Sequence, residues 1–194
     1  MIKLILFDWG DVCGLCNLEL FNTLLKKEGY SAEVAKKHFH ELKPMFDRAA
    51  VSEEEYWRKL AEKLKFRGNW QVLAQSNQKI LTVNWPLMDY IKELKKKARI
   101  ALLSNADKTS IARIKSEINL ADYFEKAYFS SEWLTGKLEK RVINKILQDF
   151  NVQPQEIIFI DDFPGNIEKA KAAGMQTILF VNLDDLKSQL DKLV

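Results

Sequence analysis

The feature that most constrains this chain is an apolar run at its start that ends abruptly in Asp8. Residues 2–7 are apolar apart from Lys3 and show almost no alternation. This pattern predicts a strand buried on both faces, as in the middle of a parallel sheet. A carboxylate at the carboxyl end of such a strand lies at the crevice where open α/β sheets bind ligands. Asp8 is therefore the first residue that we expect to take part in chemistry.

The pattern becomes helical after Val12 and stays so for about seventy residues, far longer than an ordinary connection between a strand and a helix. Four helices are predicted there. The second runs from an N-cap at Ser31 to Pro44, and the third begins at a capping box at Ser52. We expect an inserted helical unit at residues 14–84 and an α/β core formed by residues 1–13 and 85–194.

Short apolar strands alternate with amphipathic helices in the second half of the chain. The strands are predicted at Ala98–Leu103, Lys126–Ser130, Ile157–Ile160 and Gln176–Val181. This alternation predicts an α/β fold with a doubly wound parallel sheet and right-handed crossovers.

Polar side chains follow three of the predicted strands. Asp8 follows the first, Ser104–Asn105 follow the second and Asp161–Asp162 follow the fourth, while Lys137 precedes the helix after the third. In a parallel sheet these groups meet at one edge, where carboxylates repel each other unless a cation lies among them. Paired carboxylates suit Mg²⁺, and serine and lysine can hold an anionic group. The set predicts phosphoryl transfer.

The order of these groups resembles the haloacid dehalogenase-like (HAD) superfamily of hydrolases, and the resemblance covers nearly the whole chain. The matching segments are Phe7–Val12, Ala101–Asn105, Lys137–Glu139, Ile157–Asn166 and Ala170–Ile178. The resemblance implies a Rossmann-like core with a small α-helical cap, inserted after the first strand, that closes over the site and selects substrates.

The resemblance also implies roles for individual residues. Asp8 would be the nucleophile that becomes an aspartyl phosphate, and Lys137 would neutralise it and the transferring group. Ser104 would hydrogen-bond the phosphoryl oxygens, and Asn105 would orient the site or the substrate. Trp9 and Trp133 are expected to contact the substrate, although Trp133 could equally cover the edge of the sheet.

A magnesium site is implied by the same motifs. Asp8 and Asp162 would bind Mg²⁺, with Asp161 beside Asp162 as a further carboxylate. The backbone carbonyl of Gly10 would be a further ligand, which requires no particular side chain.

The first motif departs from the family pattern at one position. Family phosphatases usually carry a second aspartate two residues after the nucleophile, which protonates the leaving alcohol and later activates water. Here that residue is Gly10, and the nearest carboxylate is Asp11. Asp11 could be recruited as the acid and base, or a good leaving group could make the acid unnecessary.

The motifs, together with the departure at Gly10, leave three possible functions. The first is a Mg²⁺-dependent phosphomonoester hydrolase acting on a small phosphorylated metabolite through an aspartyl phosphate. The second is a HAD-fold binding or regulatory protein with little turnover, which Gly10 favours. The third is a haloacid dehalogenase, but this would need no metal and would use an arginine near the first motif, whereas the first arginine is Arg48.

Composition argues against several other classes of protein. The net charge is +3 and the charges are interspersed, so we expect no nucleic-acid partner. No run approaches the ~20 apolar residues of a membrane span, and the first apolar run is too short for a signal peptide. We expect no membrane association and a cytoplasmic monomer or homodimer whose partner is a small phosphorylated substrate.

Overall fold

A computed structural model describes residues 1–16, 18–27, 29–48, 50–79 and 81–193. The strands are β1 (Leu4–Phe7), β2 (Gly14–Cys16), β3 (Leu81–Val83), β4 (Arg99–Ser104), β5 (Lys126–Phe129), β6 (Ile157–Asp161) and β7 (Gln176–Leu179). The helices are α1 (Leu18–Lys27), α2 (Ala32–Asp47), α3 (Glu53–Lys63), α4 (Trp70–Lys79), α5 (Trp85–Leu94), α6 (Lys108–Glu117), α7 (Leu120–Tyr123), α8 (Ser130–Trp133), α9 (Lys140–Phe150), α10 (Pro164–Ala172) and α11 (Leu183–Leu190). A 3₁₀ turn covers Pro154–Glu156.

Five strands form a parallel sheet in the order β5-β4-β1-β6-β7. The central strand β1 has no solvent-exposed residue, as its unbroken apolar run predicts. Phe7 pairs with Leu102 of β4 on one side and with Ile160 of β6 on the other. This register brings the residues that follow all three strands to one edge of the sheet.

Helices cover both faces of the sheet, which confirms the predicted doubly wound α/β fold. Alternate residues of the strands point to opposite faces. Ile5 and Phe7 pack in the cluster that includes α5, α6 and α11, whereas Leu4 and Leu6 pack in the cluster that includes α9 and α10.

The helices α1–α4 pack around a hydrophobic cluster of their own. Its largest buried members are Tyr56 and Trp57, with Leu25, Leu60 and Leu73 around them. The prediction that α2 ends at Pro44 is wrong, because the helix continues to Asp47. Proline removes one backbone hydrogen bond, but burial of Leu42 and Phe46 on either side of it keeps the helix continuous.

A two-stranded antiparallel ladder lies where the chain leaves and rejoins the parallel sheet. It pairs β2 with β3, from Gly14 opposite Val83 to Cys16 opposite Leu81. The side-chain amide of Asn84 also donates to the backbone oxygen of Val12 at 2.8 Å. The sequence predicted a helical pattern directly after Val12, which is wrong here, since three-residue strands are too short to show a period.

The predicted strand at Lys126–Ser130 ends one residue earlier, because Ser130 begins the short helix α8. Within the ranges that the structure describes, we find no helix with both the length and the apolar character needed to span a membrane.

Leu134, which follows α8, has a strained backbone conformation whose cost in stability can be measured. Leu134 has φ +53° and is 68% exposed. A side chain in this left-handed conformation costs about 1–2 kcal/mol, which glycine avoids. We expect Leu134→Gly to raise the free energy of unfolding by about 0.5–1 kcal/mol, measured by urea denaturation. Leu134→Ala, which keeps the strained backbone, is the control, and an equal or lower stability of the glycine variant would contradict the account.

Candidate active site

The turn after β1 holds Asp8 at the edge of the sheet. The N–H of Asp8 donates to the carbonyl of Ile160 at 2.9 Å, which continues the β1–β6 ladder by one residue. The carbonyl of Trp9 then accepts from the N–H of Gly14 at 2.7 Å and closes the turn. Asp11 lies at its tip with φ +50°. The carboxylate of Asp8 is thereby fixed at a buried position, with 6% of the residue exposed.

A buried lysine joins the carboxylates of two neighbouring strands. The Nζ atom of Lys137 lies 2.8 Å from Oδ2 of Asp8 and 2.6 Å from Oδ2 of Asp161. Burial alone would lower the pKa of Lys137, but the charges of Asp8 and Asp161 outweigh it and raise the pKa above its usual value. This lysine is therefore a fixed positive charge inside the protein.

Other polar groups hold this pair in place. The backbone N–H of Lys137 donates to Oδ1 of Asn105 at 2.9 Å. The side-chain amide of Asn166 donates to both oxygens of Asp161, at 3.0 and 3.1 Å. The N–H of Phe163 adds a third donor to Asp161 at 2.9 Å. The loops after β4 and β6 thus set the position of the lysine.

The two carboxylate oxygens of Asp8 differ, because only Oδ2 contacts Lys137. The Oδ1 atom is buried and has no hydrogen-bond partner among the described residues. Burial raises the pKa of Asp8 to about 7, against the lowering effect of Lys137 and with a further rise from Asp161. A buried oxygen of this kind is costly unless a ligand or a cation completes it.

Three carboxylates meet at this point. One oxygen each from Asp8, Asp161 and Asp162 lies within 4.8 Å of the others. The half-buried Asp162 has its pKa raised to about 6 by burial, by Asp161 and by Asp11. Three carboxylates that crowd together at a buried edge offer the hard oxygen ligands that a divalent cation prefers.

A cavity of about 190 Å³ lies between the turn after β1, the loop after β4 and the helices α2, α3 and α6. The three carboxylates and Lys137 are not among its lining residues. The predicted substrate contacts Trp9, Ser104 and Asn105 line it, as do Gly10 and Asp11. Its remaining wall is formed mainly by aromatic and charged side chains of the helices, among them Phe39, Lys43, Phe46, Tyr56, Trp57 and Arg113.

Trp133 is not part of the lining of this cavity. It packs instead against the buried cluster that includes residues of α9 and α10. The sequence indicates no role for two further residues of the site, Asn166 and Ser130. Asn166 holds Asp161, and Oγ of Ser130 accepts from the N–H of Ala106 at 3.1 Å, which fixes the loop after Ser104. A serine at a strand end gives no local signal for such a contact.

Known proteins resemble this chain in both sequence and structure. A family model described as haloacid dehalogenase-like hydrolase matches residues 15–180. D-ribitol-5-phosphate phosphatase of Bacteroides thetaiotaomicron is 25% identical over 203 residues, which cover 98% of this chain and 97% of the relative. Mouse bifunctional epoxide hydrolase 2 is 30% identical over 118 residues, or 57% of this chain, and this match spans 21% of the mouse protein.

A solved structure shows the same fold. It is a HAD-family enzyme of Bacteroides thetaiotaomicron, crystallised with magnesium and inorganic phosphate. Its TM-score to this chain is 0.74 at 22% sequence identity, and the alignment covers 92% of this chain and 93% of the other.

The buried carboxylate of Asp8 gives a pH-dependent prediction for stability. Its pKa is 3.8 in the unfolded chain and about 7 in the folded protein. The fold therefore favours the protonated form, so the stability linked to Asp8 is fully present below pH 3.8 and is lost as the pH rises through 7. In a metal chelator at pH 8, we expect Asp8→Asn to unfold ~2–4 °C higher than the unsubstituted protein, and the gain to shrink towards pH 5.

The exposed Asp89 provides the matched control. Asp89→Asn removes one carboxylate without changing the buried site, so its melting temperature should follow the unsubstituted protein at each pH. A stability gain of Asp8→Asn that is absent, or that grows towards low pH, would contradict the assigned burial cost.

Proposed function

The chain belongs to the haloacid dehalogenase-like hydrolase family, and from this premise we propose that it is a Mg²⁺-dependent phosphomonoester hydrolase acting on a small phosphorylated metabolite. One observation carries the proposal. Asp8 is a buried carboxylate with one oxygen held by Lys137 and the other without a hydrogen-bond partner among the described residues. The phosphatase name of one relative and the magnesium and phosphate in a structural neighbour support it.

We assign the metal to the three carboxylates. Asp8 and Asp162 would bind Mg²⁺ directly, and the backbone carbonyl of Gly10 would add a third protein ligand. Asp161 belongs to the same cluster, and both of its oxygens already accept hydrogen bonds. We therefore assign Asp161 no direct bond to the metal, and it would hold Lys137 beside Asp8 and Asp162. When bound, Mg²⁺ supplies positive charge that favours the phosphoryl oxygens at this edge of the sheet.

The residues of the chain account for the two steps of hydrolysis. Oδ1 of Asp8 attacks phosphorus, the bond to the leaving oxygen breaks, and an aspartyl phosphate forms. Lys137 holds Oδ2 of Asp8 in place and places its positive charge where negative charge develops, and Ser104 donates a hydrogen bond to the phosphoryl group. Water then attacks the same phosphorus and releases Asp8. Asp11, on the cavity wall, is our candidate for taking the proton of that water.

Residues 14–84 would act as the cap of this site. Their helices have a separate hydrophobic cluster and form the aromatic wall of the cavity. They also contact the α/β part directly, since Oγ1 of Thr109 donates to Oε2 of Glu53 at 2.7 Å. Opening and closing of such a unit would admit the substrate and exclude water.

The competing function is a binding or regulatory protein that keeps the pocket without turnover. The observation in its favour is Gly10, which has no side chain to donate or accept a proton. A general acid and base contributes about 10²–10⁴ to the rate, so its loss from this position would slow hydrolysis strongly for a poor leaving group.

The hydrolysis of p-nitrophenyl phosphate tests the proposal. We expect release of nitrophenol that requires Mg²⁺, stops with a chelator, and falls by about 10³-fold or more in Asp8→Asn because the nucleophile is lost. Asp89→Asn should keep the full rate. Release that is unaffected by the chelator or by Asp8→Asn would contradict the proposal. No release at high protein concentration, together with tight binding of Mg²⁺ and phosphate, would favour the binding protein.

A further inference from the structure

The walls of the cavity indicate the chemical class of the substrate. Two aromatic side chains on it, Trp9 and Phe39, are half-buried and keep accessible surface. Behind them the rings of Phe46 and Tyr56 stack with centroids 4.4 Å apart and an angle of 12° between their planes. The cavity measures about 190 Å³. An apolar cavity of about 150 Å³ is enough to bind benzene, so this one has room for one aromatic ring.

Trp9 is fixed in this wall by the residue it packs against. A Cβ atom at Gly14 would lie 2.3 Å from Nε1 of Trp9, so the indole ring occupies the space that a side chain at position 14 would need. Trp9 also follows Asp8 directly in the sequence. The indole therefore has a fixed position on the cavity wall, one residue along the chain from Asp8.

Three charged side chains of the same wall form hydrogen bonds or an ion pair within the protein. Both oxygens of Asp107 accept hydrogen bonds from Ser110, at 2.9 and 2.5 Å, and Glu117 forms an ion pair with Arg113 at 2.8 Å. A substrate rich in hydroxyl groups would have to bury them against aromatic rings, which costs free energy for each unpaired group. An aromatic ring would bury apolar surface there instead.

The position next to the leaving group favours the same class. Gly10 lines the cavity, and a Cβ atom built on it would meet nothing within 4 Å, so open space replaces a side chain. A leaving group that departs as a stable anion has less need of a proton donor than an alkoxide. Phenolates are such leaving groups.

We propose that the substrate is an aryl phosphomonoester, whose ring lies against Trp9 and Phe39 and whose phenolate departs without protonation by a side chain at position 10. This inference rests on the proposed hydrolase function and names its substrate class. In the first step a bond forms between Asp8 and phosphorus, and the aryl oxygen leaves with the electron pair of the broken P–O bond. In the second step water releases phosphate from Asp8, and the proton set free neutralises the phenolate. The products are a phenol and hydrogen phosphate.

Three esters test separately whether the substrate needs an aromatic ring and whether it needs a phenolate leaving group. Phenyl phosphate has the ring and a phenolate leaving group, benzyl phosphate has the ring and an alkoxide leaving group, and D-ribitol 5-phosphate has neither. With Mg²⁺ present, we expect kcat/KM for phenyl phosphate to exceed that for benzyl phosphate by about 10²–10⁴-fold, since no acid assists departure. D-ribitol 5-phosphate should be the poorest of the three.

Two substitutions test the residues named. Gly10→Asp places a carboxyl group in the open space and should raise the ratio of kcat/KM for benzyl phosphate to kcat/KM for phenyl phosphate by about 10²-fold. Trp9→Leu should raise KM for phenyl phosphate roughly tenfold and change acetyl phosphate, which has no ring, much less. Trp85→Leu is the matched control, because Trp85 is 50% exposed and is not among the residues lining the cavity. It should leave both substrates unchanged.

The outcomes distinguish this inference from the function on which it rests. Equal rates for phenyl and benzyl phosphate, or a preference for D-ribitol 5-phosphate, would overturn the aryl assignment and leave a Mg²⁺-dependent hydrolase. An equal effect of Trp9→Leu on phenyl and acetyl phosphate would also overturn it. If neither these esters nor acetyl phosphate is hydrolysed in a manner that depends on Asp8, both the substrate class and the proposed function are wrong.

Discussion

The buried ion pair between Lys137 and two carboxylates is the interaction on which the site depends. The parallel sheet brings Asp8 and Asp161 to adjacent strand ends, and the lysine lies within 2.8 Å of both. Removing the lysine from such a group typically costs about 3–5 kcal/mol, because both carboxylates then stay buried without a positive charge. Asn105 and Asn166 fix the lysine and Asp161 from neighbouring loops. One oxygen of Asp8 is thereby immobilised, and the other is buried without a hydrogen-bond partner among the described residues.

Repulsion among the carboxylates of the site lowers the stability of the folded protein, and favourable packing elsewhere in the fold has to offset it. The carboxylates of Asp8, Asp161 and Asp162 crowd together, and burial raises the pKa of Asp8 to about 7. The fully buried strand β1 and the helices on both faces of the sheet hold the backbone in place against this repulsion. Such conflicts between stability and chemistry are concentrated at functional sites. A bound cation would relieve the repulsion.

Most of the fold and the main candidate residues could be predicted from the sequence, since both depend on local patterns. Unbroken apolar runs identify β1 and β6, and the register of a parallel sheet then brings Asp8, Ser104 and Asp162 to one edge. Contacts between distant segments gave no such signal. The β2–β3 ladder joins three-residue strands across the helical unit, and the contact of Asn105 with the N–H of Lys137 spans 32 residues. The aromatic cavity also depends on how separate helices pack.

The most direct test of the central claim is chemical trapping of the phosphoryl group on Asp8. The protein is mixed with Mg²⁺ and a phosphomonoester, quenched during turnover and treated with borohydride, which reduces an acyl phosphate to an alcohol. Peptide mass spectrometry then reads the residue at position 8. We expect homoserine in place of Asp8, and no such product when substrate is omitted. Release of phosphate in the same sample with Asp8 unmodified throughout would contradict the account.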